Sequence, residues 1–544
     1  MSRVLAIGID GATFDLIWPW AEDGELPNLA KLMTEGVHGP LESTLPPVTS
    51  PAWPTFATGK NPGKHGVFDF IRPLGGLFEL VNASSLRART LWDILSEAGR
   101  TVGVMNVPVT YPPKPVRGFV VGGMLSPMSG AFTYPPDLLD PYADDLPPYR
   151  IAPDVQYKEG NEAAFTADLL DLVHRRGQYA LRLMEDHPQD FLMVHFQATD
   201  VLQHALWKIV DPSHPRYDPD VAALALPGFR RVYQGIDDAI GKMLERLDED
   251  TTVVVMSDHG FGPLHHTVNV NLFLLDQGLL RLKRGAWSRL KTGLFMAGLT
   301  PASVWHLIEG AGLQNYIWQV SKSTRNKVVS KFLSFDDVDW SRTVAYAIGH
   351  VGQVYVNLKG REPQGIVEPG AEYRAVRRRV TGALRQLRHP KTGEPMVDEV
   401  IPGDTVVHGP YASRSADLHL VMDGYRAIAF PLFAADRRIV TRQIRGDSGC
   451  HRRHGVLIAW GHGIRPGKPL EAARIHDLAP TILHLLGLRV PDDMDGQVLT
   501  EALSLDRSVE YEHVGAAEAG AREDLSAEET AEVEDRLRSL GYLG

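Results

Sequence analysis

Three separated apolar runs, residues 4–9, 191–196 and 253–256, each lead to an aspartate: Asp10, Asp200 and Asp258. Short apolar runs of this kind read as strands buried on both faces, the texture of a parallel sheet. In an open α/β sheet, ligands bind in the crevice beyond the carboxyl ends of the strands, so carboxylates delivered by separate strands converge there. Two of the aspartates come with a histidine, as Asp200-Val-Leu-Gln-His204 and Asp258-His259. One strand-end aspartate is accounted for by capping the next helix. Three, with two histidines in reach, read instead as a metal site.

The remaining pattern sets these strands in an α/β fold. Residues 26–36 carry Pro27 in a first helical turn and Gly36 at the end, and a further strand is expected near 101–107. Helical spacing is clearest at Phe229, Val232, Ile236, Ile240, Met243, Leu244 and Leu247, which lead into the 253–256 strand. The βαβ rhythm predicts a mostly parallel central sheet with helices on both faces. Between 266 and 440 the rhythm changes to apolar helices with scattered Trp and basic residues, then an irregular α+β stretch containing Val354-Tyr-Val-Asn-Leu-Lys-Gly360. Regular texture returns with Val456-Leu-Ile-Ala-Trp460 and a helix starting at Asp477, with Pro480 in its first turn and Gly487 at its end. The predicted organisation is a core at 1–265, an inserted cap at 266–440 lying over the strand ends, a second part of the core at 441–505 and an acidic helical tail at 506–544. Ser526-Ala-Glu-Glu529 is a capping box opening the tail helix, which is expected to end near Gly541 and to dock as a solvated helix.

Composition narrows the function. Hydrophobic residues at 44% and charged residues at 23% describe a soluble globular chain, and the net charge of -11 argues against a nucleic-acid-binding surface. Much of the acidic excess lies in residues 510–535, so the rest is nearer balance and compatible with an anion bound at a metal. The single cysteine, Cys450, excludes an internal disulfide and reads as a buried thiol rather than a ligand. The amino terminus enters a strand at once, without an apolar leader and cleavage site, so a cytoplasmic location is expected. The apolar stretch 294–313 is interrupted by Pro301, His306 and Glu309 and does not read as a membrane span. The nearby Lys283, Arg284, Arg289 and Lys291 read as a solvated helix face, with membrane-surface contact as the alternative.

A nucleophile candidate lies in Pro47-Val-Thr-Ser-Pro-Ala-Trp-Pro-Thr-Phe-Ala-Thr-Gly59, followed by Asn61-Pro-Gly-Lys-His-Gly66. Thr49 precedes a proline suited to a first helical turn, so its hydroxyl is expected at a helix N-terminus, where backbone N–H groups and the dipole favour a phosphate. Alone it is a helix cap. Beside a divalent ion, which lowers an alcohol's pKa, it becomes a nucleophile. Asp200 and His204 are four apart and share a helix face, whereas Asp258 and His259 serve one ion only if the chain turns there, which Gly260 permits. Mixed Asp and His ligands suit Zn²⁺ or Mn²⁺ better than Ca²⁺ or Mg²⁺. Too many are present for one tetrahedral zinc, and a pair of ions about 4 Å apart would use them all.

Asp10, the segment from Thr49 to His65-Gly66, Asp200-xxx-His204, Ser257-Asp-His-Gly260 and Ser448-Gly-Cys-His451, in this order, resemble the alkaline phosphatase superfamily, in its type I phosphodiesterase/nucleotide pyrophosphatase branch. The similarity runs from residue 3 to about 500, taking in Asn106-Val-Pro-Val-Thr-Tyr-Pro-Pro113 and Ala473-Arg-Ile-His-Asp-Leu-Ala-Pro-Thr481. The resemblance implies one zinc on Asp200, His204 and His451, and a second on Asp10, Asp258, His259 and the Thr49 hydroxyl. It further implies that Thr49 forms a covalent phospho-threonine on a small-molecule phosphodiester, nucleotide or related phosphate ester, which is then hydrolysed. His454, three residues on, is the competing choice for His451, while His65, His265, His266 and His476 read as structural.

The chain departs from the family pattern where characterised members have asparagines, with Ala52 and Phe70 in their place, so the usual contact to a phosphoryl oxygen is missing or supplied elsewhere. Thr49, Pro51 and Trp53 do not match the sulfatase pattern, and a threonine rather than a serine leans toward diesters without excluding monoesters. Selectivity is expected from the cap, through Tyr355, Asn357, Lys359, Arg361 or its tryptophans, each more often structural. The expected function is dinuclear-metal hydrolysis of phosphodiester or pyrophosphate bonds. Phosphoryl or phosphoalcohol transfer, phosphomonoester hydrolysis and a metal-stabilised protein without turnover are the alternatives.

Overall fold

The computed structural model describes residues 2–544 other than 75–76, 301–302, 304–332, 431–432, 434–436, 444–445, 468, 516–524 and 540–544. Its centre is a nine-stranded sheet in the order Ala473–Arg474, Val37–Glu42, His454–Gly461, Thr251–Met256, Arg3–Ile9, Phe191–Phe196, Val102–Met105, Gly118–Val121, Thr133–Tyr134. The five strands from Thr251–Met256 to Gly118–Val121 run parallel. His454–Gly461 is antiparallel to both its neighbours, and Thr133–Tyr134 closes the other edge antiparallel.

Parallel strands covered by helices on both faces must be apolar throughout, and Phe-Leu-Met-Val-His-Phe and Thr-Thr-Val-Val-Val-Met are buried at every position. One face packs under the helices Glu162–Asp186 and Pro219–Leu244, with Leu169, Val173, Phe229 and Ile236 in its core. The other packs under the helices Thr49–Thr58, Leu91–Glu97 and Leu478–Leu485, through Trp53, Phe56, Leu95 and Ile482. Gly8, on Arg3–Ile9, lets this second layer seat closely: a Cβ there would lie 2.5 Å from the Trp53 ring. The register pairs Gly8 with both His195 and Met256, so the three strands that precede the aspartates end level.

Residues between Val268 and Val440 build a second core around a four-stranded antiparallel sheet, ordered Ala345–Ile348, Gln353–Val356, Leu418–Val421, Glu399–Pro402. Of the apolar stretch 294–313, only the part through 300 and Ser303 falls within the described residues. Lys291, expected on a solvated face, is buried and bonds to Asp337 at 3.0 Å, because the helix Ala286–Met296 packs that side against the second core. No helix among the described residues is long and apolar enough to cross a membrane.

The tail helix Ala527–Ser539 opens on the expected capping box, and its predicted end at Gly541 lies outside the described residues. It is less solvated than its charge implies. Val533 and Leu537 are fully buried in the main core, Glu532 accepts from the N–H of Met128 at 2.6 Å, and Arg536 donates to the Ser126 carbonyl. The acidic residues thus serve backbone donors of a loop that the sheet leaves unpaired.

Candidate metal centre

The level strand ends deliver Asp10, Asp200 and Asp258 to one place, all fully buried. Asp10 directly follows its strand, and its N–H still bonds to the Phe196 carbonyl at 3.0 Å, which fixes the direction of the carboxylate. Asp200 sits in the first turn of the helix Ala198–Val210, one turn before His204 on the same face. Asp258 and His259 occupy the turn between Thr251–Met256 and Gly260–Pro263. Gly260 is needed there for close approach, since a Cβ would lie 1.9 Å from the His454 carbonyl; its φ is not left-handed, so the turn does not depend on glycine's conformational freedom.

Two groups of three residues result, Asp200 with His204 and His451, and Asp10 with Asp258 and His259; within each, the ligand atoms lie within 4.8 Å of one another. His451 comes from the strand Gly449–Arg452. Its Nε2 stands 3.3 Å from Asp200 Oδ1 and 2.9 Å from His204 Nε2. In the other group, His259 Nε2 is 3.3 Å from Asp258 Oδ2 and 3.7 Å from Asp10 Oδ1. The groups adjoin: the His259 and His451 rings stack at 3.6 Å, and His259 Nε2 is 4.0 Å from Asp200 Oδ1.

Hydrogen bonds on the far side of the rings fix which nitrogen faces inward. His451 Nδ1 meets the Pro47 carbonyl at 2.8 Å and His259 Nδ1 the Gly260 carbonyl at 3.1 Å. Carbonyls only accept, so both Nδ1 atoms are N–H donors and both Nε2 lone pairs point at the carboxylates. Burial holds both histidines down at about 4, hence neutral and able to ligate.

The carboxylates carry the strain of the arrangement. Burial, then Asp200, pushes Asp258 up to about 7, and burial with Asp258 and Asp200 pushes Asp10 well above the carboxylate range. For Asp200, burial is outweighed by His204, His451 and His259, which hold it below that range. For His204 too burial is outweighed, and Asp200 and Asp447 hold it up at about 9. Among the described residues, the only ion-pair partners of Asp10 and Asp258 are histidines, and Asp10 Oδ1 and Asp258 Oδ2 accept no hydrogen bond. Crowded, dry carboxylates with inward imidazole lone pairs are a donor set that fits divalent cations with mixed oxygen and nitrogen preference.

Thr49 is the first residue of the helix Thr49–Thr58, fully buried, with its Oγ1 3.2 Å from His259 Nε2. It does not cap the helix: the cap position is Val48, and no side chain caps there. The N–H groups of Thr49 and Ser50 bond to no described residue, so the helix end presents donors as well as the hydroxyl.

His195 was not singled out by the sequence reading, although it is the one ring of its kind in an otherwise apolar buried strand. Its Nε2 contacts Asp10 Oδ2 at 2.9 Å and its Nδ1 the Asn106 carbonyl at 2.9 Å, with the Trp53 ring 4.6 Å away. Asn106 takes a left-handed φ of 62° to present that carbonyl, which gives the Asn106-Val-Pro-Val segment a purpose. Thr199 bonds to the Asp10 carbonyl at 2.6 Å, and Gln203 to that of Gly11 at 2.9 Å. Ser448 donates to the Ala205 carbonyl at 2.8 Å, tying the His451 strand to the helix that carries Asp200 and His204.

Other candidates fall elsewhere. His454 is exposed and lies outside both groups. His65 is buried against Thr55 Oγ1 at 2.9 Å, His265 packs on His214, His266 bonds to Asp423 at 3.1 Å and His476 sits beside Asp477. Cys450 is buried, with its thiol 3.0 Å from the Tyr425 carbonyl and in neither metal group. The residues expected over the metals are engaged within the second core and its surroundings: Asn357 bonds to the carbonyls of Trp340, Thr343 and Gln364, Arg361 pairs with Asp417, Lys359 with Glu368, and Tyr355 stacks on Tyr346. Ala52 and Phe70 are both buried.

No curated protein matches the chain in sequence. Among solved structures, human ectonucleotide pyrophosphatase/phosphodiesterase 5 is 14% identical with a TM-score of 0.48, over 92% of this chain and 100% of that one. Phosphonoacetate hydrolase from Sinorhizobium meliloti 1021, in complex with phosphonoacetate, is 14% identical with a TM-score of 0.49, over 89% and 95%. An inactive form of murine ectonucleotide pyrophosphatase/phosphodiesterase 5, in complex with AMP, is 13% identical with a TM-score of 0.46, over 93% and 100%. The model of the type I phosphodiesterase/nucleotide pyrophosphatase family matches residues 4–450, and the chain belongs to that family of phosphohydrolases.

Proposed function

We propose that the protein is a dinuclear-metal hydrolase of phosphodiester or pyrophosphate bonds that works through a covalent phospho-threonine at Thr49. Asp200, His204 and His451 would hold one ion, and Asp10, Asp258, His259 and the Thr49 hydroxyl the other, with Zn²⁺ the first choice for the mixed donors. When bound, the ions supply Lewis acidity, lowering the pKa of the hydroxyl and polarising a phosphoryl oxygen. The observation that carries the reading is the position of Thr49 Oγ1, 3.2 Å from His259 Nε2 at the first residue of a helix, free of any capping role.

The chain's own residues then divide the work. Thr49 Oγ1 bonds to phosphorus as the ester oxygen leaves, the departing alcohol gains a proton, and water next splits the Oγ1–P bond to restore the hydroxyl. The N–H groups of Thr49 and Ser50 at the helix end meet the phosphoryl oxygens. Full burial of Thr49, Asp10, Asp200, Asp258 and His259 lowers the local dielectric, which strengthens each of these interactions.

The test is turnover of bis-p-nitrophenyl phosphate, p-nitrophenyl phosphate and p-nitrophenyl sulfate by protein of measured Zn and Mn content, beside Thr49→Ala. Diester turnover is expected to lead and to fall by at least about a thousandfold in the variant. Turnover unchanged in Thr49→Ala removes the nucleophile assignment, and sulfate as the best substrate removes the reaction class.

A further inference from the structure

Beyond His204 and His451 the site opens into a cleft with about 90 Å³ of solvent-accessible room. Leu45, Val48, Phe70, Leu264, Val351 and Ile428 give it apolar walls. Apart from His204, which pairs with Asp200 and Asp447, its charged lining is acidic, from Asp69 and Asp447, and no lysine or arginine lines it among the described residues. A second phosphoryl group or a carboxylate placed beyond His204 would meet carboxylates with no lysine or arginine to offset them, so that part of the cleft disfavours anions. An uncharged apolar group would bury its surface there at no such cost.

One polar group in the wall stands without a partner. His419, on the strand Leu418–Val421, is 2% exposed, and neither ring nitrogen hydrogen-bonds to any described residue. It pairs across the sheet with Gln353, so its side chain leaves the sheet on the face opposite Leu418 and Leu420, which pack into the second core. Burial holds it neutral, at about 4. A neutral imidazole offers one N–H donor and one acceptor, the complement of a hydroxyl or of a carbonyl beside a donor. Buried polar groups are normally satisfied, so an unsatisfied ring in the wall of a cleft is matched by what enters the cleft.

We propose that the cleft receives an uncharged, largely apolar ester group of a phosphodiester, and that His419 determines specificity by hydrogen-bonding to one hydroxyl or carbonyl on it. The inference rests on the phosphodiesterase reading and decides within it for diesters of apolar alcohols over pyrophosphates and nucleotides.

The test uses zinc-loaded protein and the p-nitrophenyl esters of methyl, hexyl, ω-hydroxyhexyl and thymidine monophosphates. We expect kcat/KM to rise at least about tenfold from methyl to hexyl and about fivefold more with the ω-hydroxyl, with the thymidine ester no better than methyl. His419→Phe should bring the ω-hydroxyhexyl-to-hexyl ratio to about one, and His419→Gln, which keeps a donor and an acceptor, should restore part of it. A ratio unchanged in a folded His419→Phe overturns the role of His419. The wild-type series decides the rest without any variant: no gain with chain length, or a thymidine ester above the hexyl ester, overturns the cleft assignment and leaves the phosphodiesterase reading standing. No turnover of any diester overturns both.

Discussion

Replacing His195 by phenylalanine tests whether the metal centre depends on the ring behind Asp10. Phenylalanine keeps an aromatic ring against Trp53, 4.6 Å away, and fills similar volume, but removes the contacts to Asp10 Oδ2 and to the Asn106 carbonyl, each 2.9 Å. Loss of a buried carbonyl's partner costs about 1–3 kcal/mol of stability. Loss of the group that orients a ligand costs about 10–100-fold in metal affinity, or roughly 1.4–2.7 kcal/mol. His195 touches Asp10 and no member of the Asp200 group by hydrogen bond, so the affinity loss should be confined to one of two ions. Competition with a chromophoric chelator, titrated through two equivalents of Zn²⁺, resolves the steps, and circular dichroism reports the fold. One step weakened by this factor with the other unchanged is the expected result. Two steps weakened equally, or neither, would refute the reasoning, because then His195 acts through the fold as a whole or does not hold Asp10 at all.

Three further outcomes follow from the geometry. His204 has its folded pKa raised to about 9 from 6.5, so the stability it contributes to the metal-free protein is present below pH 6.5 and lost as pH rises through 9; Asp258, raised to about 7, loses its share mostly below that window, where His259 and His451, held down at about 4, gain theirs. Thermal unfolding in a chelator should therefore show stability falling between pH 6.5 and 9, with added Zn²⁺ raising Tm more at pH 8 than at pH 5, and a flat metal-free profile over that window would contradict this. Gly449→Ala places a Cβ 2.5 Å from the Gln203 carbonyl and 2.7 Å from the Phe261 ring, so the strand bearing His451 must shift; about 1–3 kcal/mol of stability and at least tenfold in affinity at the Asp200 group should be lost in denaturant and zinc titrations. Leu537→Ala, in a fully buried position of the tail helix, should cost about 3 kcal/mol in urea unfolding, and an unchanged midpoint would show the tail detached in solution.

Much of the site could be read from spacing, because it depends on local rules. Asp200 and His204 share a helix face by their four-residue separation, and the apolar run before Asp10 admits little but a buried strand. Thr49 was placed at a helix start by its prolines, and it is the first residue of that helix. The second core was less legible. Arg361 and Asn357, polar residues in an irregular stretch, are indistinguishable in sequence from ligand-binding residues, yet both satisfy groups beside that core. His195 escaped notice because one histidine in an apolar strand has no periodic signature.

The sequence by itself determined that a mostly parallel sheet forms, where several of its strands end and which residue types follow them, since apolarity dictates which segments are buried; strand order and pairing, with His454–Gly461 antiparallel to both its neighbours, came from the tertiary structure. Only the tertiary structure decided which nitrogen of His259 and His451 faces inward, that His195 stands behind Asp10, and that no lysine or arginine among the described residues lines the cleft beyond His204. Those facts depend on partners far apart in the chain, such as the Pro47 carbonyl for His451 and the Asn106 carbonyl for His195, which no local pattern encodes.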